Sequence, residues 1–133
     1  MFRDLIGIPF VDGGRDTKGL DCYGCIIEGF KRYKIKVPDH NMACSAVALA
    51  KYNPEEIGKI IWKERHKWQR LQELEIPCLI AMSLATPGFY NHVALYIGDD
   101  KILHTRMGAN VCIEKLSSPR YNLRKKRYYK YVE

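Results

Sequence analysis

Cys22 lies in the stretch GRDTKGLDCYGCIIEGF, where it follows a glycine-rich loop and begins an apolar pattern of helical period. A cysteine nucleophile needs a lowered pKa, a base within hydrogen-bond reach and a third group that orients this base. The oriented N–H groups at the start of a helix favour the thiolate form of a cysteine placed there. The position of Cys22 therefore favours nucleophilic chemistry.

Two histidines could supply the base and the group that orients it. His92 and His104 flank the turn in HVALYIGDDKILHT, a pattern that predicts two strands joined by a hairpin. If the hairpin closes with a three-residue loop from Gly98 to Asp100, His104 lies opposite Ala94, and His92 is its diagonal neighbour on the same face. A two-residue loop would put the two histidines on opposite faces of the sheet.

The same cysteines are open to other chemistry. Cys22 and Cys25 spell C-x-x-C, the thiol–disulfide exchange motif, but a glycine-rich loop precedes them where a thioredoxin-like site needs a buried strand. Zinc could be held by Cys22, Cys25, His40 and Cys44, although Cys44 lies in an apolar run that favours a buried helix. We interpret Cys25 as a core residue and expect neither a metal nor a cofactor.

Helices in the first half of the chain would position Cys22. Asp21 is the expected N-cap of its helix, whose apolar residues recur at helical spacing as far as Tyr33. Residues 53–74 predict an amphipathic helix, because Asn53 suits the cap and Pro54 the first helical position. Further short helices are expected over residues 2–6 and 41–51. The buried face of the long helix is expected to comprise Ile57, Ile60, Ile61, Trp68 and Leu71.

The second half of the chain predicts an antiparallel sheet. PCLIAMSL, HVALYIGDDKILHTR, NVCIEKL and RYYKYVE are short apolar or aromatic runs separated by turn residues, which is typical of four or five strands. Helices followed by such a sheet give an α+β fold. Because the sequence shows no repeat, linker or low-complexity tract, we expect residues 1–133 to form a single domain.

Composition limits the class of protein. The chain is 47% hydrophobic and 28% charged, which is ordinary for a globular domain. Its five cysteines are an odd number, which argues against a disulfide-stapled secreted framework and predicts reduced thiols. The sequence shows no membrane-spanning run and no secretory signal. A net charge of +7 indicates polyanionic surroundings such as nucleic acid, anionic lipid or a bacterial wall.

Together these residues resemble the NlpC-type cysteine peptidases, bacterial and phage cell-wall hydrolases with a papain-like α+β fold. The resemblance runs from about residue 8 to residue 129, and its motifs are DCYG at a helix start, HVALY on a strand and a histidine on the next strand. It implies N-terminal helices packed on a five- to six-stranded antiparallel sheet. It also implies that Cys22 is the nucleophile, His92 the general base and His104 the orienting group.

The resemblance also implies roles for the residues around the cysteine. Phe10 stands where the family usually has a tyrosine, so oxyanion stabilisation falls to the Cys22 N–H and its neighbours. Phe10, Asp21 and Tyr23 are expected beside the substrate or oxyanion, with Asp21 chiefly a helix cap. The implied substrate is the peptide stem of peptidoglycan, cleaved between D-γ-glutamate and the diamino acid.

A finer resemblance is to phage-tail-associated members of this family. Tyr23 follows the cysteine where serine is commoner, and the ending SSPRYNLRKKRYYKY also resembles that branch. Phage tail proteins would then be partners, and the particle would carry a protein made in the bacterial cytoplasm to the wall.

Two interpretations from other classes stay open. One is a catalytically weak tail or wall-binding component of the same fold. The other is a zinc-stabilised nucleic-acid-binding module, in which RKKRYYKY would contact the phosphate backbone. No recognisable nucleic-acid-binding module accompanies that basic run, so nucleic-acid binding is the less favoured of the two.

Overall fold

The computed structural model describes residues 1–41, 55–84, 90–106 and 108–133. The helices are α1 (Cys22–Lys31), α2 (Glu56–Lys63) and α3 (Pro119–Asn122). The strands are β1 (Arg15–Asp16), β2 (Gly19–Leu20), β3 (Trp68–Leu71), β4 (Cys78–Met82), β5 (His92–Gly98), β6 (Lys101–His104), β7 (Cys112–Lys115) and β8 (Lys126–Tyr131). Six strands form one antiparallel sheet in the order β3-β8-β4-β5-β6-β7, and β1 with β2 forms a separate hairpin. The fold is therefore α+β, as predicted, and the number of strands in the sheet is within the five to six that the family resemblance implied.

Helix α1 packs on the centre of the sheet. Asp21 caps it by accepting a hydrogen bond from the Gly24 N–H at 2.7 Å, which confirms the predicted cap. Its inward face includes Gly29, where an added Cβ would overlap the side chain of Leu95 on β5 and contact Leu103 on β6. The helix therefore approaches β5 and β6 closely because residue 29 lacks a side chain.

The hairpin between β5 and β6 combines a two-residue turn with a bulge, and so differs from both of the loops that the sequence left open. Its turn is the two-residue pair Asp99 and Asp100, whose φ angles of 56° and 62° are the left-handed values of a tight hairpin turn. The register shifts between Tyr96 and Gly98, so one extra residue bulges out of β5. Because the bulge restores the pairing of Leu95 with Leu103, His104 lies opposite Ala94, as the three-residue loop would have placed it.

The long helix predicted over residues 53–74 is wrong beyond residue 63. Helix α2 ends at Lys63, a turn follows, and Trp68–Leu71 pair with β8 as strand β3. Trp68 is buried between the rings of Phe30 and Tyr131, with centroid distances of 5.8 and 4.8 Å. Edge pairing and this aromatic contact thus override the local helical pattern. The predicted Asn53 cap lies outside the described residues.

Each face of the sheet has its own apolar core. The first core, between the sheet and helices α1 and α2, contains Phe30, Ile57 and Trp68, and the second, on the opposite face, contains Ile80, Met82 and Tyr121. Residues 2–6 form a turn and not the predicted helix. The short helix predicted over residues 41–51 falls, except for residue 41, outside the described residues. Among the described residues, no helix has the length and hydrophobicity needed to cross a membrane.

Candidate active site

His92 and His104 form a hydrogen-bonded pair at the end of the hairpin. His92 is the first residue of β5 and His104 the last of β6, and the bulged register puts them on one face. His92 Nε2 lies 2.9 Å from His104 Nδ1. Both side chains are buried, at 1% and 0% exposure, so this contact is shielded from solvent. The proximity predicted for the two histidines is therefore present.

The second nitrogen of His104 contacts a carboxylate that the sequence did not single out. His104 Nε2 lies 2.9 Å from Glu114 Oε1, and the Tyr121 hydroxyl donates to the same oxygen at 2.9 Å. Glu114 belongs to β7, in which Cys112 pairs with His104, and Tyr121 belongs to α3. The two histidines, Glu114 and Tyr121 form one continuous hydrogen-bonded row.

The electrostatics of the row favour neutral imidazoles beside an ionised carboxylate. Burial lowers the pKa of His92 well below its usual value, and His104 and Arg106 lower it further. Burial likewise lowers the pKa of His104, although its hydrogen bond to Glu114 opposes the shift. Burial alone would raise the pKa of Glu114, but hydrogen bonds from Tyr121 and His104 outweigh it and lower the pKa. Both rings are therefore neutral near pH 7.

Cys22 is the first residue of α1, beside a capping carboxylate held by several donors. Asp21 is fully buried and accepts hydrogen bonds from the Gly24 N–H, from the Gly13 N–H at 3.2 Å and from the Arg15 guanidinium at 2.6 Å. The cap fixes the direction of the first helical turn. The backbone N–H groups of that turn point toward the chain that precedes the helix, where an oxyanion could be bound.

Helix α1 packs on the β5–β6 hairpin that carries the two histidines. Gly29 packs on Leu95 and Leu103, one to three residues from the two histidines along their strands. One turn toward the helix start, the pKa of Cys25 is raised by burial and also by its neighbours Asp21 and Cys112. Leu95 and Leu103 lie in the core beneath α1, and His92 and His104 alternate with them at the ends of β5 and β6.

The sulfur of Cys22 is engaged in a disulfide bond, which departs from the predicted reduced state. Cys25, Cys78 and Cys112 are free thiols, so none of these three is the partner and the C-x-x-C pair is not joined. Burial raises the pKa of Cys78 and of Cys112 to about 11. Nucleophilic chemistry at Cys22 therefore requires prior reduction. Cys44, one of the four residues considered for zinc, lies outside the described residues.

The three residues expected beside the substrate occupy different environments. Phe10 forms an isolated bridge with Leu20, two residues before Cys22, and is half-buried. Asp21 serves as the buried helix cap. Tyr23 is fully buried, and its hydroxyl donates to the Pro38 carbonyl at 2.5 Å, so its side chain faces the interior and not a substrate surface. Of the three side chains, Phe10 is the one with an accessible surface.

A basic cleft lies on the sheet beside the strand that carries His92. It encloses about 220 Å³, and its lining includes Trp62, Arg65, Arg70, Tyr90 and Arg127. The Arg65 guanidinium lies 4.3 Å from the centroid of the Trp62 ring, and that of Arg127 lies 4.6 Å from the Tyr90 ring. Trp62 is 69% exposed, so the cleft presents an aromatic and cationic surface to solvent.

Two known proteins illustrate the sequence similarity of this chain to others. The murein DD-endopeptidase MepS/murein LD-carboxypeptidase of Escherichia coli is 24% identical over 129 residues, which cover 96% of this chain and 56% of that protein. A probable endopeptidase of Haemophilus influenzae is 26% identical over 118 residues, which cover 88% of this chain and 62% of that protein. The chain thus spans somewhat over half the length of these relatives.

Solved structures share the fold. The crystal structure of an NlpC/P60 family protein from Bacillus cereus matches with a TM-score of 0.65 and 20% identity, covering 97% of this chain and 37% of that one. A Staphylococcus aureus protein of the NLP/P60 family, described as similar to lipoprotein, matches with a TM-score of 0.59 and 19% identity, covering 97% and 38%. The NlpC/P60 family model matches residues 7–131, nearly the whole sequence, and the chain therefore belongs to the NlpC/P60 family.

Proposed function

We propose that this protein is a cysteine peptidase that hydrolyses peptide stems of bacterial peptidoglycan. The observation that carries the proposal is the buried His92–His104 hydrogen bond, in a family member whose predicted nucleophile begins the helix packed on the same hairpin. The E. coli and H. influenzae relatives, named as endopeptidases, support a peptidase activity.

In the proposed reaction, the reduced sulfur of Cys22 attacks the carbonyl carbon of the scissile bond while His92 accepts its proton. The resulting oxyanion is held by backbone N–H groups at the start of α1. His92 then protonates the leaving amine and later activates the water that hydrolyses the thioester, with His104 holding the imidazole in place. Because Cys22 and His92 are each only 1% exposed, the substrate must open the site to reach them.

The basic cleft suits an acidic substrate. The stem peptide carries free carboxylates, and the arginines at positions 65, 70 and 127 supply positive charge on the sheet face beside Tyr90, two residues before His92. We expect the cleft to bind stem carboxylates and to contribute to KM. The net charge of +7 would favour adsorption to the anionic wall in the same way.

The finer assignment is cleavage between D-γ-glutamate and the diamino acid, by a protein carried in a phage or prophage tail. The choice of bond rests on the resemblance to the NlpC-type family, and the tail association rests on Tyr23 after the cysteine and on the ending SSPRYNLRKKRYYKY. Tail proteins would be its partners, and the cell wall its place of action.

A second candidate is a wall-binding component with little or no activity. The disulfide at Cys22, the burial of the site and the phenylalanine at position 10 favour it. Both candidates should adsorb to the cell wall, but only the peptidase should cleave its stem peptides.

Digestion of purified peptidoglycan separates them. Wild type, Cys22→Ala and His92→Gln are incubated with the sacculi in the presence of reductant, and released muropeptides are identified by mass spectrometry. We expect fragments with a new amine on the diamino acid from the wild type alone. Release of the same fragments by Cys22→Ala would refute the peptidase proposal, and sedimentation with sacculi but no fragments from any protein would establish the wall-binding candidate.

A further inference from the structure

We propose that Glu114 is a positioning residue that fixes the tautomers of both histidines, so that His92 Nδ1 is the nitrogen left free to accept a proton. This inference rests on the proposed function for its catalytic meaning, but its geometry is independent of it. The row of contacts runs from His92 Nε2 to His104 Nδ1 at 2.9 Å and from His104 Nε2 to Glu114 Oε1 at 2.9 Å.

The proton positions follow from what each end of the row can do. An ionised carboxylate only accepts hydrogen bonds, and the Tyr121 hydroxyl, 3.3 Å from His104 Nε2, gives its single proton to Glu114 at 2.9 Å. His104 therefore carries its own proton on Nε2 and donates it to Glu114. His104 Nδ1 is then an acceptor, and the proton in the His92–His104 contact must belong to His92 Nε2. A neutral imidazole carries one proton, which leaves His92 Nδ1 bare. One carboxylate thus orders two rings and leaves on His92 the bare nitrogen that a general base requires.

The surroundings keep Glu114 ionised and in place. Tyr121 donates to the same oxygen at 2.9 Å, Cys112 Sγ lies 3.5 Å from it, and Arg120 lies 3.9 Å from the other carboxylate oxygen. The Tyr121 side chain is fully buried, so its hydroxyl is a fixed donor. An amide at position 114 could instead donate to His104 Nε2, which would reverse the row and leave His92 Nδ1 protonated.

The same residues could be considered a metal site. One ligand atom each from His104, Cys112 and Glu114 lies within 4.8 Å of the others. However, the Glu114 oxygen already receives donors from two sides, and Arg106 and Arg120 add positive charge beside the cluster. Burial and the neighbouring Glu114 also raise the pKa of the Cys112 thiol to about 11, which disfavours the thiolate that a metal needs. The contacts favour the hydrogen-bonded row.

The test reads proton positions without requiring activity. In a Cys22→Ala background, 15N chemical shifts distinguish protonated from unprotonated imidazole nitrogens, with signals assigned through His92→Gln and His104→Gln. We expect protonated Nε2 and bare Nδ1 on both rings. Glu114→Gln should shift both rings toward the opposite tautomer, whereas the exposed control Glu73→Gln should leave them unchanged. Protonated Nδ1 on His92 of the parent, or spectra unaffected by Glu114→Gln, would overturn the assignment.

Kinetic measurements on the protein that retains Cys22 test how much Glu114 contributes to catalysis. Glu114→Gln should lower kcat by up to about 10⁴-fold with little change in KM, because a loss of about that size is found when a triad histidine is held in the wrong tautomer. Glu114→Asp keeps the carboxylate and should recover part of the loss. If the wild type cleaves no stem while the tautomers are as expected, the proposed function fails and the Glu114 assignment stands. Full activity in folded Glu114→Gln would refute the assignment alone.

Discussion

Removal of the Asp21 carboxylate should separate the contribution of the α1 cap from that of its buried ion pair. The carboxylate accepts hydrogen bonds from the Gly24 and Gly13 N–H groups and from Arg15, at 2.7, 3.2 and 2.6 Å. Asp21→Ala leaves all three donors without their acceptor. Asp21→Asn keeps an N-cap oxygen of comparable quality but removes the charge that pairs with Arg15.

The magnitudes follow from these partners. Loss of an N-cap costs about 1 kcal/mol, and loss of a hydrogen bond to a charged group costs about 1.5–3 kcal/mol. The Arg15 side chain is 22% exposed and also contacts Asp39, which reduces the penalty of leaving its charge unpaired. We therefore expect Asp21→Ala to lower the free energy of unfolding by about 3 kcal/mol and Asp21→Asn by about 1–2 kcal/mol.

Urea denaturation monitored by tryptophan fluorescence measures both variants, with the exposed Asp12→Ala as a matched control expected to change stability by less than about 0.5 kcal/mol. A loss below about 1 kcal/mol for Asp21→Ala would refute the account of the cap. Equal losses for the alanine and asparagine variants would show that the charge alone, and not the cap, carries the effect.

Three further predictions concern pH, packing and oxidation state. Burial lowers the pKa of His92 and of His104, so the unfolded chain binds protons that the folded chain does not. The free energy of unfolding should therefore fall below about pH 6.5, by up to about 1.4 kcal/mol per pH unit for each histidine. Urea midpoints that stay unchanged between about pH 7.5 and 5.5 would contradict this. Gly29→Ala should destabilise the fold by about 1–3 kcal/mol because its Cβ would overlap the side chain of Leu95. Gly58→Ala in α2, which has open space around it, should stabilise the fold by about 0.5–1 kcal/mol. Equal urea midpoints for the two variants would contradict the described packing of α1. Peptidoglycan cleavage should require reductant because Cys22 is disulfide-bonded, and equal rates with and without dithiothreitol would contradict this.

Local rules were sufficient for the helix start and for the hairpin. The Asp21 cap depends on residues three apart in sequence, and the turn pair Asp99–Asp100 depends on two left-handed residues, so both can be predicted without tertiary contacts. The bulge before Gly98 could not be predicted, because the turn residues alone do not show where the register shifts. The sequence left open whether the two histidines share a face, and the turn and bulge together place them on one face, as a three-residue loop would have done.

Long-range contacts explain the errors. Strand β3 was predicted as helix because its residues continue the apolar period of α2, and only its pairing with β8, about 60 residues later, makes it a strand. Glu114 was missed because a seven-residue connection separates β6 from β7, so no local rule fixes which residue of β7 lies beside His104. Its position on the same strand face as Cys112 was the only available indication.

The alkylation rate of Cys22 tests most directly whether His92 activates its sulfur. Fully reduced wild type and His92→Gln are treated with iodoacetamide at pH 7, and modification of the Cys22-containing peptide is timed by mass spectrometry, with His66→Gln at a 66% exposed position as the matched control. If His92 activates the Cys22 sulfur, folded His92→Gln should react at least about tenfold more slowly than the other two proteins. Equal rates at Cys22 in all three would contradict it.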